Sequence, residues 1–501
     1  MGIIIRQSIK GTLVNYIGVC IGFFTTFFVL TRFLTAEEIG LTRVLVDAST
    51  LFVGLAQMGT SSSIVRFYPY FKDESKGDNG FFFWTVLVPL IGFVVFGLMF
   101  WGLKDYVCAR FAEKSGLFVT YYKCVYPMAF AMLYMTVSES NCNVLMRIVV
   151  PKFVREVLVR LLTLAVYLLY AFGTLGIDGF VYGFCGVYVV ALLVDMAYLF
   201  SLKKISLKPD WKFLTPQLKS NYLYYTLFLL TSTIATVLAP FANTYFISAE
   251  MGLAFTGIFA IATYITALVE IPYRSLGAIS LPQLSASIKE NEMAEANGLC
   301  KRISVNQMLV GGFVFLLIWV NLDLFFRLLP NGEQYAVAKW VVFILGMSKL
   351  FTSVFSISLA ALSFSRYYYY SLLFSLVFTA SALYFNSKFI PLWGMNGAAL
   401  ATLLSSMLYY GLLMLLDWFK IKVSPLSAKH FGVLAMFALL LAADELWRYA
   451  FPVSGSVWWQ LCESALRTSV LLSVGVFVAY SMRFSEDINQ LLKRIKDEIQ
   501  F

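Results

Sequence analysis

The sequence predicts an all-α polytopic membrane protein of about fourteen transmembrane helices, with two parallel six-helix repeats forming two lobes and a C-terminal helix pair. Three observations predict it. Hydrophobic residues fill 60% of the 501 positions and charged residues only 13%, about half the charged share of a soluble domain. The apolar residues come in runs of about 20, the length that crosses a hydrocarbon layer of ~30 Å. Two short motifs also recur at nearly one offset.

In order, the candidate spans are 10–31, 41–63, 80–103, 117–138, 153–173, 178–200, 220–246, 252–279, 304–326, 335–362, 367–388, 394–418, 429–449 and 459–481. Turn residues separate them, as in Asp78-Asn79-Gly80 before the third and Pro330-Asn331-Gly332 before the tenth. Arg6 and Lys10 precede an apolar stretch without a small-residue cleavage site, so the first span reads as a retained helix. No connection is long enough for a folded extramembrane domain. After Arg483, Phe484, Ile488, Leu491, Leu492, Ile495 and Ile499 share one face and Lys493, Arg494 and Lys496 lie opposite. That pattern predicts an amphipathic helix on an anionic leaflet. The 281–303 connection, rich in Lys and Glu, is expected to form another.

Loop cations set the orientation. With a cytoplasmic N-terminus, inside segments hold 24 Lys and Arg and outside segments 7, the other 7 falling within spans. The positive-inside bias then places both termini in the cytoplasm of a protein in the plasma (inner) membrane. The net charge of +10 is therefore a topological signal, and no nucleic-acid partner is expected. The seven cysteines lie mostly inside apolar segments without metal-ligand spacing, so no metal or cofactor is expected.

Leu34 to Gly40 separates spans one and two, and Ala249 to Gly257 separates spans seven and eight, with Gly257 217 positions after Gly40. Gly176-Ile177-Asp178-Gly179 and Gly394-Met395-Asn396-Gly397 lead into spans six and twelve at an offset of 218. Each block has an even number of spans, so the halves are parallel repeats, and such carriers place substrate between lobes that rock. The expected organisation is a lobe over 1–203, a cytoplasmic linker over 204–219, a lobe over 220–420, an accessory helix pair over 421–482 and an amphipathic tail over 483–501.

Charges near a bilayer centre cost about 2.5–3.5 kcal/mol on insertion scales, so each needs a reason. Span two carries Arg43, Asp47, Thr50, Gly54, Gln57 and Ser61 on one helical face; span one does the same with Asn15, Gly18, Gly22, Thr25 and Arg32. Span eight carries Thr263, Thr266, Glu270 and Arg274, with Arg274 at the repeat position of Gln57; Asn243 lies in span seven and Lys349 near the middle of span ten. One reading is structural: Arg43/Asp47, Glu270/Arg274 and Glu156/Arg160 are i,i+4 pairs that neutralise themselves. The other is a hydrated, net-cationic cavity lined by spans one, two, seven and eight. Lys349 favours the cavity, having no acid three or four residues away, although Glu270 could reach it across helices. Pro240 and Pro272 interrupt backbone bonding, beside a binding site or as packing kinks. His430 and the run Tyr367 to Tyr370 read as interfacial residues. No P-loop, nucleophile elbow or zinc motif occurs, so no enzymatic activity is expected.

The Arg6-Gln7-Ser8 lead, the turn from Arg32 to Gly40, the exit from Gly59 to Arg66, Pro282 with Leu284-Ser285 after it, and both Gly-x-x-Gly lead-ins resemble those of Wzx-type polysaccharide flippases. These belong to the multidrug/oligosaccharidyl-lipid/polysaccharide exporter superfamily, and the resemblance covers essentially the whole chain. Fourteen spans fit its polysaccharide and peptidoglycan-precursor branches better than the multidrug branch, which usually has twelve. The resemblance implies movement of an undecaprenyl-diphosphate-linked oligosaccharide from the cytoplasmic to the outer leaflet. It carries over Arg43 and Arg274 as residues that attract the diphosphate, and the extra helix pair as a cradle for the lipid tail. Thr35 stands where many relatives have proline. Lys349 joins the two arginines on chemical grounds, since Arg grips phosphate bidentately and Lys as a point charge. Asn15, Thr25, Gln57, Ser61 and Asn243 could serve the sugars. The expected state is a monomer, with further polysaccharide-assembly proteins as candidate partners. Two alternatives differ in chemistry. A cation-coupled multidrug exporter of the same superfamily wants an acid-dominated cavity. A polysaccharide-modifying membrane enzyme wants a large external loop or an intramembrane histidine.

Overall fold

The computed structural model describes residues 3–73, 78–202, 208–211, 213, 215–451 and 456–490, without the side chains of 3–9, 12, 227, 228, 231, 232, 234–236 and 274–280. The side chains of Arg6-Gln7-Ser8 and Arg274, and the tail beyond Gln490, thus lie outside the described residues.

Every regular element among the described residues is helical, as the apolar runs predict. The longer helices are α1 (Ile3–Phe24), α2 (Ala36–Ala56), α3 (Thr60–Phe71), α4 (Phe81–Gly102), α5 (Val125–Val144), α6 (Val159–Ala171) and α7 (Ile177–Ser201). Then follow α8 (Pro216–Glu250), α9 (Leu253–Ala267), α10 (Ile271–Lys289), α11 (Met293–Leu328), α12 (Lys339–Phe364), α13 (Tyr370–Leu416), α14 (Ala428–Ala450) and α15 (Val457–Ser481). Among the described residues, ten helical stretches are long and apolar enough to cross a membrane. One of them, Tyr370–Ile421, contains expected spans eleven and twelve. Gly394 divides it with φ 57° and ψ −134°, a conformation that favours a residue without Cβ. Expected spans four, five and seven are helical as α5, α6 and α8 but fall outside the ten. The fifth is divided by a π turn, Val154–Leu158.

Local chemistry sets several boundaries. Thr35 caps α2 in a capping box: its hydroxyl accepts from Glu38 N–H at 3.3 Å, and the Glu38 carboxylate accepts from Thr35 N–H at 2.8 Å. Pro272 starts α10 and does not interrupt it, so its missing N–H costs no helical bond. The 281–303 connection is not a separate helix; it is the ends of α10 and α11 around a turn at Asn291, where φ is 62°.

The chain forms two compact units, Met1–Ala260 and Ile261–Phe501. The boundary falls inside α9 and not at the start of a sequence repeat. In the first unit, α2 is the buried centre, with Leu41, Leu45, Phe52 and Ala56 fully enclosed and α4, α5 and α8 around it. Lipid is as apolar as leucine, so such helices associate through close packing and polar contacts. At the start of α2, a Cβ on Gly40 would overlap the Leu253 carbonyl oxygen, and one on Gly257 would overlap the Ala36 carbonyl oxygen. The contact is reciprocal: Ala36 precedes Leu253 by the same 217 positions that separate Gly40 from Gly257. Gly40→Leu should therefore destabilise the protein by about 3 kcal/mol or more, since backbone cannot yield as a side chain does. Gly102→Leu, at a position with open space around it, should be neutral. Size-exclusion profiles of the solubilised variants check this, with loss of the monodisperse peak for Gly40→Leu only.

In the second unit, α11 is central. Val305, Met308, Leu309 and Phe315 pack with Leu350 and Val354 of α12, Val433, Met436 and Leu440 of α14 and Leu471 of α15. Just after α15, Phe484 lies against Gly432, and Arg302 of α11 holds Asp487 through two bonds, the Nε one at 2.5 Å. Asn306 adds a third at 2.7 Å. The Arg302 guanidinium keeps the Asp487 carboxyl below the usual aspartate value of 3.8. A depressed carboxyl contributes stability above its unfolded value and loses it as pH falls through the folded one. Proteolytic release of the tail should thus be unchanged from pH 7 to pH 5 and rise only below about pH 4. Asp487→Asn should remove that acid step.

Candidate functional site

The capped start of α2 fixes the rotation of its polar face. Arg43 Nε donates to Asp47 Oδ2 at 2.7 Å, one turn apart, with the side chains 26% and 15% exposed. Thr244 of α8 donates to the same Asp47 oxygen at 2.6 Å. Asp47 therefore does two jobs: it orients Arg43 and ties α2 to α8. Asn243 precedes Thr244 on α8 and is half-buried. Gln57 caps the other end of α2, where its Oε1 accepts from the Ser61 hydroxyl at 3.2 Å. Asn15 is exposed on α1.

In the second unit, Glu270 ends the one-turn helix Leu268–Glu270 that joins α9 to α10. Lys349 Nζ on α12 meets Glu270 Oε1 at 2.9 Å, with the side chains 30% and 17% exposed. The cross-helix partner that the sequence allowed is the one found, so Lys349 is not an isolated cation. A cation already paired with an acid gives no reason of its own for a hydrated cavity. Arg43/Asp47 and Lys349/Glu270 are each neutral as pairs. Formal charge over the five charged candidates, Arg274 included, is +1. Arg160 pairs with Glu156 at 2.9 Å and also donates to the Gly18 carbonyl of α1, as the structural reading of that pair expects.

Sequence reasoning missed the densest polar cluster. At one end of the accessory pair, Asp444 is fully buried between Arg448 at 3.0 Å and Arg467 at 3.3 Å. Arg448 also meets Asp323, which holds Lys339 at 2.8 Å. Arg467 and Arg448 both donate to the Val320 carbonyl, at 2.9 and 3.0 Å. The i,i+4 spacings Asp444/Arg448 and Glu463/Arg467 were the available signal. Asp195 on α7 and Asp417 just after α13 were also passed over; both are fully buried, and neither carboxylate has a hydrogen-bond partner among the described residues. No group of three or more metal-ligating side chains occurs among the described residues.

The fold has solved counterparts. A structure described as lipid II flippase MurJ in an inward closed conformation superposes with a TM-score of 0.70, covering 93% of this chain and 98% of that one at 13% identity. An inward-facing multidrug-resistance MATE family transporter of the MOP superfamily gives 0.63, covering 84% and 98% at 16% identity. A MOP superfamily transporter from Pyrococcus furiosus, described as having a reversed binding-pocket polarity, gives 0.55 over 84% and 95% at 16% identity. At these identities the likeness is one of fold alone: a multi-pass, all-helical architecture. No family model and no curated protein matches the sequence.

Proposed function

We propose that this protein is a flippase that moves an undecaprenyl-diphosphate-linked oligosaccharide from the cytoplasmic to the outer leaflet of the plasma (inner) membrane. In this reading the lobes 1–203 and 220–420 alternate access, 421–482 serves the lipid tail, and both termini are cytoplasmic. The observation that carries it is the larger share of the chain matched by a flippase, together with the way the accessory pair is built in. The superposition reaches 93% of this chain on the structure described as a lipid II flippase and 84% on the multidrug-resistance MATE family transporter, and α14 and α15 are built into the second unit through α11. Arg43, Arg274 and Lys349 would meet the diphosphate, with Asp47 and Glu270 holding two of them. Gln57, Asn15 and Asn243 would meet the sugars.

The test uses proteoliposomes loaded with an undecaprenyl-diphosphate lipid carrying a fluorescent sugar. The expected result is protein-dependent exposure of the inner-leaflet pool to a membrane-impermeant quencher. Exposure no faster than in empty liposomes, together with proton- or sodium-driven uptake of a lipophilic cation dye, would move the assignment to the multidrug exporter.

A further inference from the structure

The sequence reads 41–63 as one span, yet the helix breaks at Met58 and Gly59, where φ is 48° and 69°. Glycine takes such values freely; methionine is a good helix former with a Cβ that opposes them. The break is bridged twice: Thr60 N–H donates to the Gln57 carbonyl at 2.8 Å, and Ser61 reaches the Gln57 side chain. The two sides of this joint differ in how they meet α8 and α9. Before it, α2 is fixed by the Gly40 and Gly257 backbone contact and by Asp47 and Thr244. After it, Gly59 lies against the Leu229 side chain of α8, and further along α3 the contacts with α8 are rings and one cation. Phe67 lies 5.2 Å from the Tyr222 ring and 5.8 Å from Tyr225, and Arg66 sits 4.2 Å over Tyr225. Such contacts are worth about 0.5–1.5 kcal/mol each and carry little directional cost when they part.

We propose that Met58-Gly59 is the joint of a cytoplasmic gate. In it, α3 moves between a latched position on Tyr222 and Tyr225 and a parted one that admits a phosphate-bearing headgroup. The proposal rests on the transport reading and on the inside placement of the 64–79 segment. Left-handed Met58 stores strain that only the latched state carries, so the latched and parted populations stay within reach of each other. A residue that prefers φ > 0 favours the latch; one that refuses it favours the parted state.

The experiment places nitroxide labels at the exposed positions Tyr70 and Tyr224, with Cys20, Cys108 and Cys462 replaced by serine, and reads their distance distribution in proteoliposomes. Wild type should show a short and a long population. Met58→Gly should enrich the short one about fivefold, the ratio set by about 1 kcal/mol of left-handed strain, and Met58→Val should enrich the long one. A single distance, identical in wild type and both variants, overturns the joint. That result would leave the flippase reading standing with its gate elsewhere, whereas failure of the quencher assay would not touch these distances.

Discussion

Lys349→Met should reduce transport of the lipid-linked sugar at least about tenfold while costing about 1–2 kcal/mol of stability, and adding Glu270→Gln should recover the stability alone. The two side chains meet at 2.9 Å and keep 30% and 17% of their surface. Partly exposed pairs of this kind return less than a fully enclosed pair, which sets the modest stability figure. Neutralising both residues removes the mismatch within this pair, so thermal melting of the double variant should return towards wild type. Transport separates the two meanings of the pair. If Lys349 only packs α12 against the α9–α10 junction, the double variant works. If it lends its charge to a diphosphate, the double variant is stable and inactive. Quencher exposure and melting temperature, measured on wild type, Lys349→Met and the double variant, decide the matter.

This test is needed because the sequence allowed Glu270 as a partner of Lys349 without deciding whether the pair forms or what it does. The fold class was legible: apolar runs of span length and a lopsided distribution of loop cations leave few alternatives to a multi-pass helical protein. The i,i+4 pairs Arg43/Asp47 and Glu156/Arg160 were legible too, because helical geometry alone brings them together. Lys349 and Glu270 are 79 positions apart, and only the crossing of α12 with the α9–α10 junction joins them. Helix breaks were equally hidden. Met58 carries no breaking signal and Gly59 alone, inside an apolar run, is a weak one, so 41–63 reads as one span. Gly394 does carry one, and there the break was expected between spans eleven and twelve. The Gly40 and Gly257 pair lies between these cases: its spacing was visible as a repeat, but the reciprocal backbone contact was not.

The accessory pair gives the clearest energetic prediction. Arg467→Met should destabilise the protein by about 3–5 kcal/mol, the usual cost of removing one member of an enclosed ion pair. Arg467 is 5% exposed and Asp444 fully buried. The arginine touches Asp444 at 3.3 Å, Glu463 at 3.6 Å and the Val320 carbonyl at 2.9 Å. Methionine fills much of the same volume, so the loss isolates charge and hydrogen bonding from packing. Asp444 would keep Arg448, but Arg448 is shared with Asp323, so one cation would serve two carboxylates. Replacing the acid as well, in Asp444→Leu/Arg467→Met, should recover most of the loss, since an apolar pair of similar volume often matches a buried ion pair. Thermal unfolding in detergent and proteolysis of the α14–α15 hairpin are the measurements. A single variant that melts with wild type would mean that Asn321, bonded to Ser464 at 2.6 Å and Thr468 at 3.0 Å, holds the hairpin without the charges. If the charges do hold it, the hairpin is anchored at this end by ions and along α11 by side-chain packing, which suits a fixed support for a lipid tail better than a moving gate.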